Sequence, residues 1–358
     1  MRNDVSRSVP IWLEAILKGV SMSRKLKVVI TDYDYGDVDV ERPIIEGAGL
    51  ELVPAQCKSD EELIEVARDA DAVICQYARV GEKTINAFTN CRLIARYGIG
   101  VDIVDVEAAT RRNILVTNIP DYCVDEVGDH AMAMLLALVR KLQTYDKATR
   151  AGIWRWQAAQ PIYRMRGSIM GFLAFGQIAR AIAERAKPFG VRMIANDPYV
   201  AREDFDPYGV MPVYFDEIIE RSDYLMIQMP LTSETRGMIG EAQLKKMKPT
   251  AVLINTSRGP LVDNAALYRA LKEGWISAAG IDDIVEEPAK RRDWRPENPL
   301  FSLDNIIITP HSAYYSEESI HEARRRASEE VVRVLSGRPP LSPVNRVKLV
   351  DGTYSLAS

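Results

Sequence analysis

From Leu26 onward, continuously apolar runs of four to seven residues alternate with amphipathic stretches, and this alternation limits the chain to very few folds. Such runs are long enough for strands buried on both faces and too short for helices, so they read as a parallel sheet with crossover helices. The spacing predicts strands at Leu26–Thr31, Ala72–Gln76, Arg92–Tyr97, Ile114–Thr117, Ser168–Ala174, Val191–Asn196, Tyr224–Gln228, Ala251–Asn255, Ala278–Ile281 and Ile306–Thr309. At 358 residues the chain has room for two such domains. Between the two strand series, Val127, Ala131, Met134, Leu135, Leu138 and Leu142 recur at helical spacing, which predicts one long connecting helix from Val124 to Leu142 and a boundary near residue 125. A second helix is expected from Ser316 to Leu335, with Glu317 and Glu318 in its first turn and Gly337, Pro339 and Pro340 after its end. Tyr145 to Arg166 carries Trp154, Trp156, Pro161 and Tyr163 without clear periodicity, and reads as an aromatic arm that covers a partner subunit.

Charge and composition exclude several classes. Forty-six basic against 50 acidic residues leave a net charge of −4, and no Lys/Arg block is long enough to track phosphates, so no nucleic-acid partner is expected. No apolar run approaches the roughly 18 residues of a membrane span. Ile11–Val20 could pass for a signal peptide, but Glu14 and Lys18 interrupt it and no small-residue cleavage site follows. Residues 1–24 therefore read as an N-terminal extension, and translation could equally begin at Met22. Cys57, Cys75, Cys91 and Cys123 form no CxxC pair, which fits reduced thiols in a cytoplasmic protein. The same cysteines and three histidines make no ligand-spaced cluster, so no metal is expected.

The strand ending at Ala174 runs through Phe175, Gly176, Gln177, Ile178 and Ala179 into a predicted helix, the context of a dinucleotide-binding fingerprint. Of the three glycines in GxGxxG only the middle one, Gly176, is kept. Alanine at the third position is commonly allowed, whereas Ala174 at the first places a Cβ in a tight turn. Gly171 to Gly176 also has P-loop spacing, yet Gln177 and Ile178 replace the Lys and Ser/Thr that nucleotide hydrolysis needs. Asp197 follows Gly176 by 21 residues, at the end of the second strand, where a carboxylate binds ribose hydroxyls and repels a 2′-phosphate. NAD is favoured over NADP, with Arg202 nearby as the opposing feature.

Among the histidines, His130 lies inside the long helix and reads as a satisfied core or interdomain side chain; His321, among Glu317, Glu318 and Glu322, reads as part of a solvated face. His311 is different. It follows an apolar strand and Pro310 and precedes the small Ser312 and Ala313, at the carboxyl end of a strand where α/β ligand sites lie. Arg258 also follows a strand, in NTSRGPLVD, and offers either a fork for a carboxylate or a surface ion pair. Glu286 or Glu287, before Pro288, could orient a histidine. An acid for a developing alkoxide, a carboxylate behind it and a cation on a substrate carboxylate together suit reduction of a 2-oxo acid.

NTSRGPLVD, GIDDIVEEP and TPHSAYYSEES resemble segments of the D-isomer-specific 2-hydroxyacid dehydrogenase family, especially its C-terminal-binding-protein-like branch. ARYGIGVDIVD, IPDYCVDEVGDHAMAMLLAL, RGSIMGFLAFGQIARAIAERAKPFGV and MPLTSETRGMI extend the resemblance over about residues 26 to 345, in the family's order. It implies that Arg258 binds the substrate carboxylate and carbonyl, that Glu287 pairs with the histidine, and that His311 exchanges the proton. It further implies cofactor contacts at Gly176, Gln177 and Ile178 for the pyrophosphate, Asp197 for the ribose, and Pro230 and Thr235 on the adenosine side. Thr256, Ser257 and Arg258 would border the nicotinamide, with His311 beside it, and Asp282 would hold its carboxamide. Gly98, Ile99 and Gly100 match the loop whose N–H groups receive the substrate carboxylate. Tyr77, Arg79, Tyr314 and Tyr315 are candidates for lining the substrate's tail.

Departures from the family pattern are Ala174 for Gly, Ile103 for Asn, Gln228 for His and Asp283 for an apolar residue. The expected architecture is two doubly wound parallel-sheet α/β domains: a Rossmann-type cofactor domain at 125–311 and a flavodoxin-like, discontinuous substrate domain at 25–124 and 312–345, with 346–358 as a tail. The active site would span both. The expected activity is NAD-dependent interconversion of a small D-2-hydroxy acid and its 2-oxo acid by a homodimer. The alternative is an NAD(H)-sensing, corepressor-like or scaffold protein with inherited catalytic residues. No serine feedback is expected, because the sequence ends at Ser358 without an appended regulatory domain.

Overall fold

A computed structural model describes residues 24–285 and 295–347. All of the N-terminal extension but Arg24, together with Glu286, Glu287 and most of the expected tail, lies outside the described residues. The described residues divide into two compact units, one of 24–95, Val106–Thr117 and 327–347, the other of Arg96–Asp105, 118–285 and 295–326. Arg96–Asp105 and residues 312–326, expected with the substrate domain, thus pack with the second unit.

The first unit runs β1 (Lys27–Ile30), α1 (Glu41–Gly47), β2 (Glu51–Pro54), α2 (Asp60–Ala67), β3 (Ala72–Cys75), α3 (Glu82–Ala87), β4 (Leu93–Arg96), α4 (Val106–Arg111) and β5 (Leu115–Thr117). Its sheet is parallel in the order β2-β1-β3-β4-β5, the flavodoxin-like arrangement. Val28, Val29 and Ile30 of β1 and all of β3 are buried, which is why those runs are apolar without alternation.

The second unit holds α5 (Val124–Val139), α6 (Leu142–Arg150), β6 (Ile169–Leu173), α7 (Gln177–Ala186), β7 (Arg192–Asn196), β8 (Val210–Pro212), α8 (Phe215–Arg221), β9 (Tyr224–Ile227), α9 (Glu241–Lys246), β10 (Val252–Asn255), α10 (Asn264–Glu273), β11 (Ala278–Ile281) and β12 (Ile306–Ile308). Helix α11 (Glu317–Leu335) begins in this unit and ends in the first; Ser316 caps it, its Oγ accepting from Ser319 N at 2.9 Å. The seven strands form one sheet in the order β12-β11-β10-β9-β6-β7-β8, every resolved pair parallel. One face is covered by residues of α8, α9 and α10, including Ile218, Leu244 and Leu267; the other is covered by α5 and α7, including Leu135 and Ile182. The doubly wound parallel architecture expected from the sequence is therefore present in both units.

All ten expected strands are found, with no end trimmed by more than one residue, and two more, β2 and β8, were not expected. Both lie on sheet edges and each is only partly buried, so neither needs the continuous apolar run that marked the others. The long helix is shorter than expected. It ends at Val139, and Lys141, at φ +51°, separates it from α6, which has no buried residue and so no apolar stripe to betray it. Beyond α6, Trp154, Trp156 and Tyr163 stand exposed. Among the described residues no helix is long and apolar enough to cross a membrane.

Candidate active site

The register of the seven-stranded sheet aligns the carboxyl ends of six strands in one row: Asn196, Leu173, Ile227, Asn255, Ile281 and Ile308. The residue one step beyond each is Asp197, Ala174, Gln228, Thr256, Asp282 or Thr309. In parallel sheets ligands bind beyond these ends, at the point where strand order reverses, here between β6 and β9.

At that point β6 turns into α7. Gly176 is the N-cap and has no side chain to satisfy the first-turn N–H groups, which point at whatever binds there. A Cβ added at Gly176 would meet nothing within 4 Å, so the protein's own packing does not demand glycine here. The space is open to a ligand. Ala174, the departure at the first fingerprint position, adopts φ +67°, the left-handed conformation that glycine takes freely and alanine resists. Asp197 is drawn to the same turn: its Oδ2 accepts from Phe175 N at 2.9 Å and its Oδ1 from Tyr199 N at 2.9 Å. Each oxygen keeps a lone pair for a ribose hydroxyl. Pro230 and Thr235 are tied together by Thr235 Oγ1 donating to Pro230 O at 2.7 Å.

Gln228 was noted in the sequence only as a departure. Its Nε2 donates to Thr256 Oγ1 at 2.8 Å, while Oε1 is buried with no hydrogen-bond partner among the described residues. A buried amide oxygen left this way calls for a donor from a ligand. With the open cradle at Gly176 and the carboxylate at Asp197, it makes these strand ends fit a dinucleotide.

Arg258 leaves β10 in extended conformation. Its Nη1 donates to Ser257 O at 2.7 Å and its Nε to Asp102 Oδ1 at 3.1 Å, leaving the rest of the guanidinium fork for a ligand. The side chain lies directly against Gly100, where an added Cβ would come 3.0 Å from Arg258 Cζ and 2.9 Å from Asp102 Oδ1. The Gly98–Gly100 loop and Arg258 are thus brought together, with Asp102 aiming the arginine. Asp102 was not singled out in the sequence, although it lies in ARYGIGVDIVD. Gly259 is required by packing, because a Cβ would sit 2.5 Å from Ile284 C, and its N–H donates to Asp283 Oδ2 at 3.0 Å. Asp283, polar where the family is apolar, therefore helps hold the turn that carries Arg258.

His311 is half-buried and held at φ +51°. Its N–H donates to Asp282 O at 2.6 Å and Thr309 O at 3.0 Å. The Asp282 carboxylate, 2% exposed, accepts from Thr309 Oγ1 at 2.5 Å, Ser312 N at 2.9 Å and Ala313 N at 2.9 Å. Much of its hydrogen-bonding capacity thus goes to shaping the histidine loop. The His311 ring meets Tyr314 edge-on at 6.0 Å, and Tyr314 lies 6.4 Å from Tyr122. Around Cys123, Ile99 of the Gly98–Gly100 loop, the α7 residue Ile178 and Ala313 and Tyr314 of the histidine loop pack into one cluster. Burial pushes the Cys123 thiol up to about 12, which keeps it neutral and unfit as a nucleophile. His321 is exposed. Tyr77 and Arg79 belong to the first unit.

Residues 132–313 match the family model described as D-isomer specific 2-hydroxyacid dehydrogenase, NAD binding domain. The chain belongs to the D-isomer-specific 2-hydroxyacid dehydrogenase family. It is 38% identical over 293 residues to a glyoxylate reductase of Korarchaeum cryptofilum, covering 80% of this chain and 86% of the relative. It is 35% identical over 314 residues to a D-3-phosphoglycerate dehydrogenase of Archaeoglobus fulgidus, covering 86% of this chain and 58% of that longer protein. Among solved structures, a D-lactate dehydrogenase from Aquifex aeolicus, complexed with NAD and lactic acid, superposes with TM-score 0.79 at 27% identity over 87% of this chain and 96% of that one. As a family member the chain is an NAD-linked oxidoreductase that moves a hydride between 2-hydroxy and 2-oxo acids.

Proposed function

We propose that the chain reduces a small 2-oxo acid to the D-2-hydroxy acid with NADH, and runs the reverse with NAD, using Arg258 and His311. The observation that carries this reading is convergence: Arg258 packs on Gly100, while Ile99, Ile178 and Ala313 share one apolar cluster, so carboxylate loop, cofactor turn and histidine loop meet. Gly176, Gln177, Ile178, Asp197, Pro230, Thr235, Thr256, Ser257 and Asp282 would hold the cofactor, which when bound supplies or accepts the hydride. Asp197 beside the fingerprint turn favours NAD, because a second negative charge at the ribose would face its carboxylate.

In this reading the free edge of the Arg258 fork and the N–H groups of Ile99 and Gly100 take the substrate carboxylate, while the Gly98 N–H, expected to join them, donates to Arg96 O at 2.9 Å and holds the loop. Arg258 also draws electron density toward the carbonyl oxygen. Protonated His311 gives that oxygen its proton during reduction, and neutral His311 removes the hydroxyl proton during oxidation. Glu287 is assigned by resemblance to support the charged imidazole. The exposed Trp154, Trp156 and Tyr163 suit a homodimer interface, and Cys57, Cys75, Cys91 and Cys123, in no disulfide, suit the cytoplasm.

A spectrophotometric screen of glyoxylate, pyruvate, hydroxypyruvate and longer 2-oxo acids with NADH tests the reading. Turnover of at least one, lost in Arg258→Lys, is expected, because a point charge cannot reproduce the bidentate fork. NADH binding without turnover of any 2-oxo acid would favour the sensing alternative instead.

A further inference from the structure

His130 lies on α5, far in sequence from every site residue, and it is half-buried with 24% of its side chain exposed. Its Nε2 lies 3.0 Å from Thr309 Oγ1 and 3.7 Å from Asp282 Oδ1, and no other hydrogen bond of its ring is found among the described residues. The direction of the first bond follows from valence. Thr309 has one hydroxyl hydrogen, and it is committed to the Asp282 carboxylate at 2.5 Å, since an ionised carboxylate only accepts. Thr309 Oγ1 must therefore accept from His130 Nε2–H.

We infer that His130 is a positioning residue for His311, acting through Thr309 and Asp282. A donor on Thr309 Oγ1 fixes the hydroxyl's rotation and, by polarising it, strengthens its bond to Asp282. Asp282 grips the loop on both sides of the catalytic candidate: its carbonyl accepts from His311 N, its carboxylate from Ser312 N and Ala313 N. Between these grips His311 holds φ +51°, a conformation that a non-glycine residue keeps only when its surroundings over-determine it. An apolar side chain at 130 would fill the space between α5 and the sheet as well. It would leave the Thr309 oxygen without its donor. The inference rests on the reading of His311 as the proton-transfer group.

The test uses His130→Leu, His130→Gln, Thr309→Val and the double variant His130→Leu/Thr309→Val, with His311→Gln alongside. Glutamine extends its Nε2–H to about the place of the imidazole Nε2–H, whereas leucine keeps bulk alone. His130→Leu should lower kcat by about 10-fold with the KM for the 2-oxo acid and the Kd for NADH within about threefold, the pattern of a lost transition-state alignment. His130→Gln should restore kcat to within about threefold of the parent. Thr309→Val, which removes both the acceptor for His130 and the donor to Asp282, should lose at least as much as His130→Leu, and the double variant should be no worse than Thr309→Val alone, because His130 acts through that hydroxyl. Equal losses in the Leu and Gln variants, additive losses in the double variant, or parental kcat in His130→Leu would each overturn the inference. Unchanged turnover in His311→Gln would instead overturn the reading of His311 itself, so the two failures are distinguishable.

Discussion

Asp32, following β1 in the first unit, and Asp282, following β11 in the second, are both buried and both clamp the loop that follows another strand. Asp32 Oδ1 accepts from Thr31 Oγ1 at 2.8 Å and Gln76 N at 3.0 Å, and its Oδ2 from Tyr77 N at 2.7 Å. Asp282 repeats the pattern with Thr309 Oγ1, Ser312 N and Ala313 N. A threonine hydroxyl and two successive main-chain N–H groups offset the desolvation of each carboxylate. The difference lies in what is clamped. Asp32 takes its hydroxyl from its own neighbour and grips residues with no positive φ, whereas Asp282 borrows Thr309 across the sheet, spans a left-handed histidine and has His130 behind it. A buried acid makes a loop rigid in either place. The additional donor appears where the loop carries the left-handed His311, the proposed proton-transfer residue.

The sharpest way to break the comparison is Asp282→Asn. Asparagine puts an amide against N–H donors, and the variant should lose about 2 to 3 kcal/mol of stability and roughly 100-fold in kcat. Urea unfolding and saturating kinetics check it; a parental kcat would mean that the clamp serves folding alone. Asp32→Asn should cost a similar 1 to 3 kcal/mol, approximately, with kcat little changed, since the proposed proton-transfer residue lies in the loop that Asp282 holds. A kcat loss as deep as that of Asp282→Asn would erase the distinction between the two clamps.

Ala174 extends the comparison to a second left-handed residue, one whose side chain has no chemistry. Ala174→Gly should raise stability by about 0.5 to 1 kcal/mol and tighten NADH by up to about fivefold, as strain at φ +67° is relieved. Fluorescence titration and thermal unfolding report both, and a less stable variant would show that the turn tolerates alanine. The smallest effect concerns Cys123, in the cluster that seats Ala313. Its thiol is raised from 9.0 to about 12, so its burial stabilises the fold fully below about pH 9 and progressively less as pH rises toward 12. Iodoacetamide at pH 8 should alkylate it much more slowly in the native protein than in urea; equal rates would mean the cluster is loose.

Where each strand runs was legible wherever burial on both faces demands uninterrupted apolar residues, as in β3, β9, β10 and β11. Edge strands β2 and β8 and the polar helix α6 left no such mark, because packing asks little of them. Arg258, His311 and Asp197 were legible as candidates because each follows a strand, the one local signal that places a side chain at the ligand-binding edge of a parallel sheet.

The sequence by itself determined the α/β alternation, the fingerprint turn and the choice of these three candidates, all readable from neighbours in the chain. Only the tertiary structure decided their company. Register aligned six strand ends in one row, and that alignment set Thr309 beside Asp282, residues 27 positions apart. The approach of α5 to the sheet then brought His130 to Thr309 across 179 positions. Asp102 reached Arg258 across 156. No local pattern encodes such pairs: each side chain is polar for the sake of a partner that only the packed fold supplies.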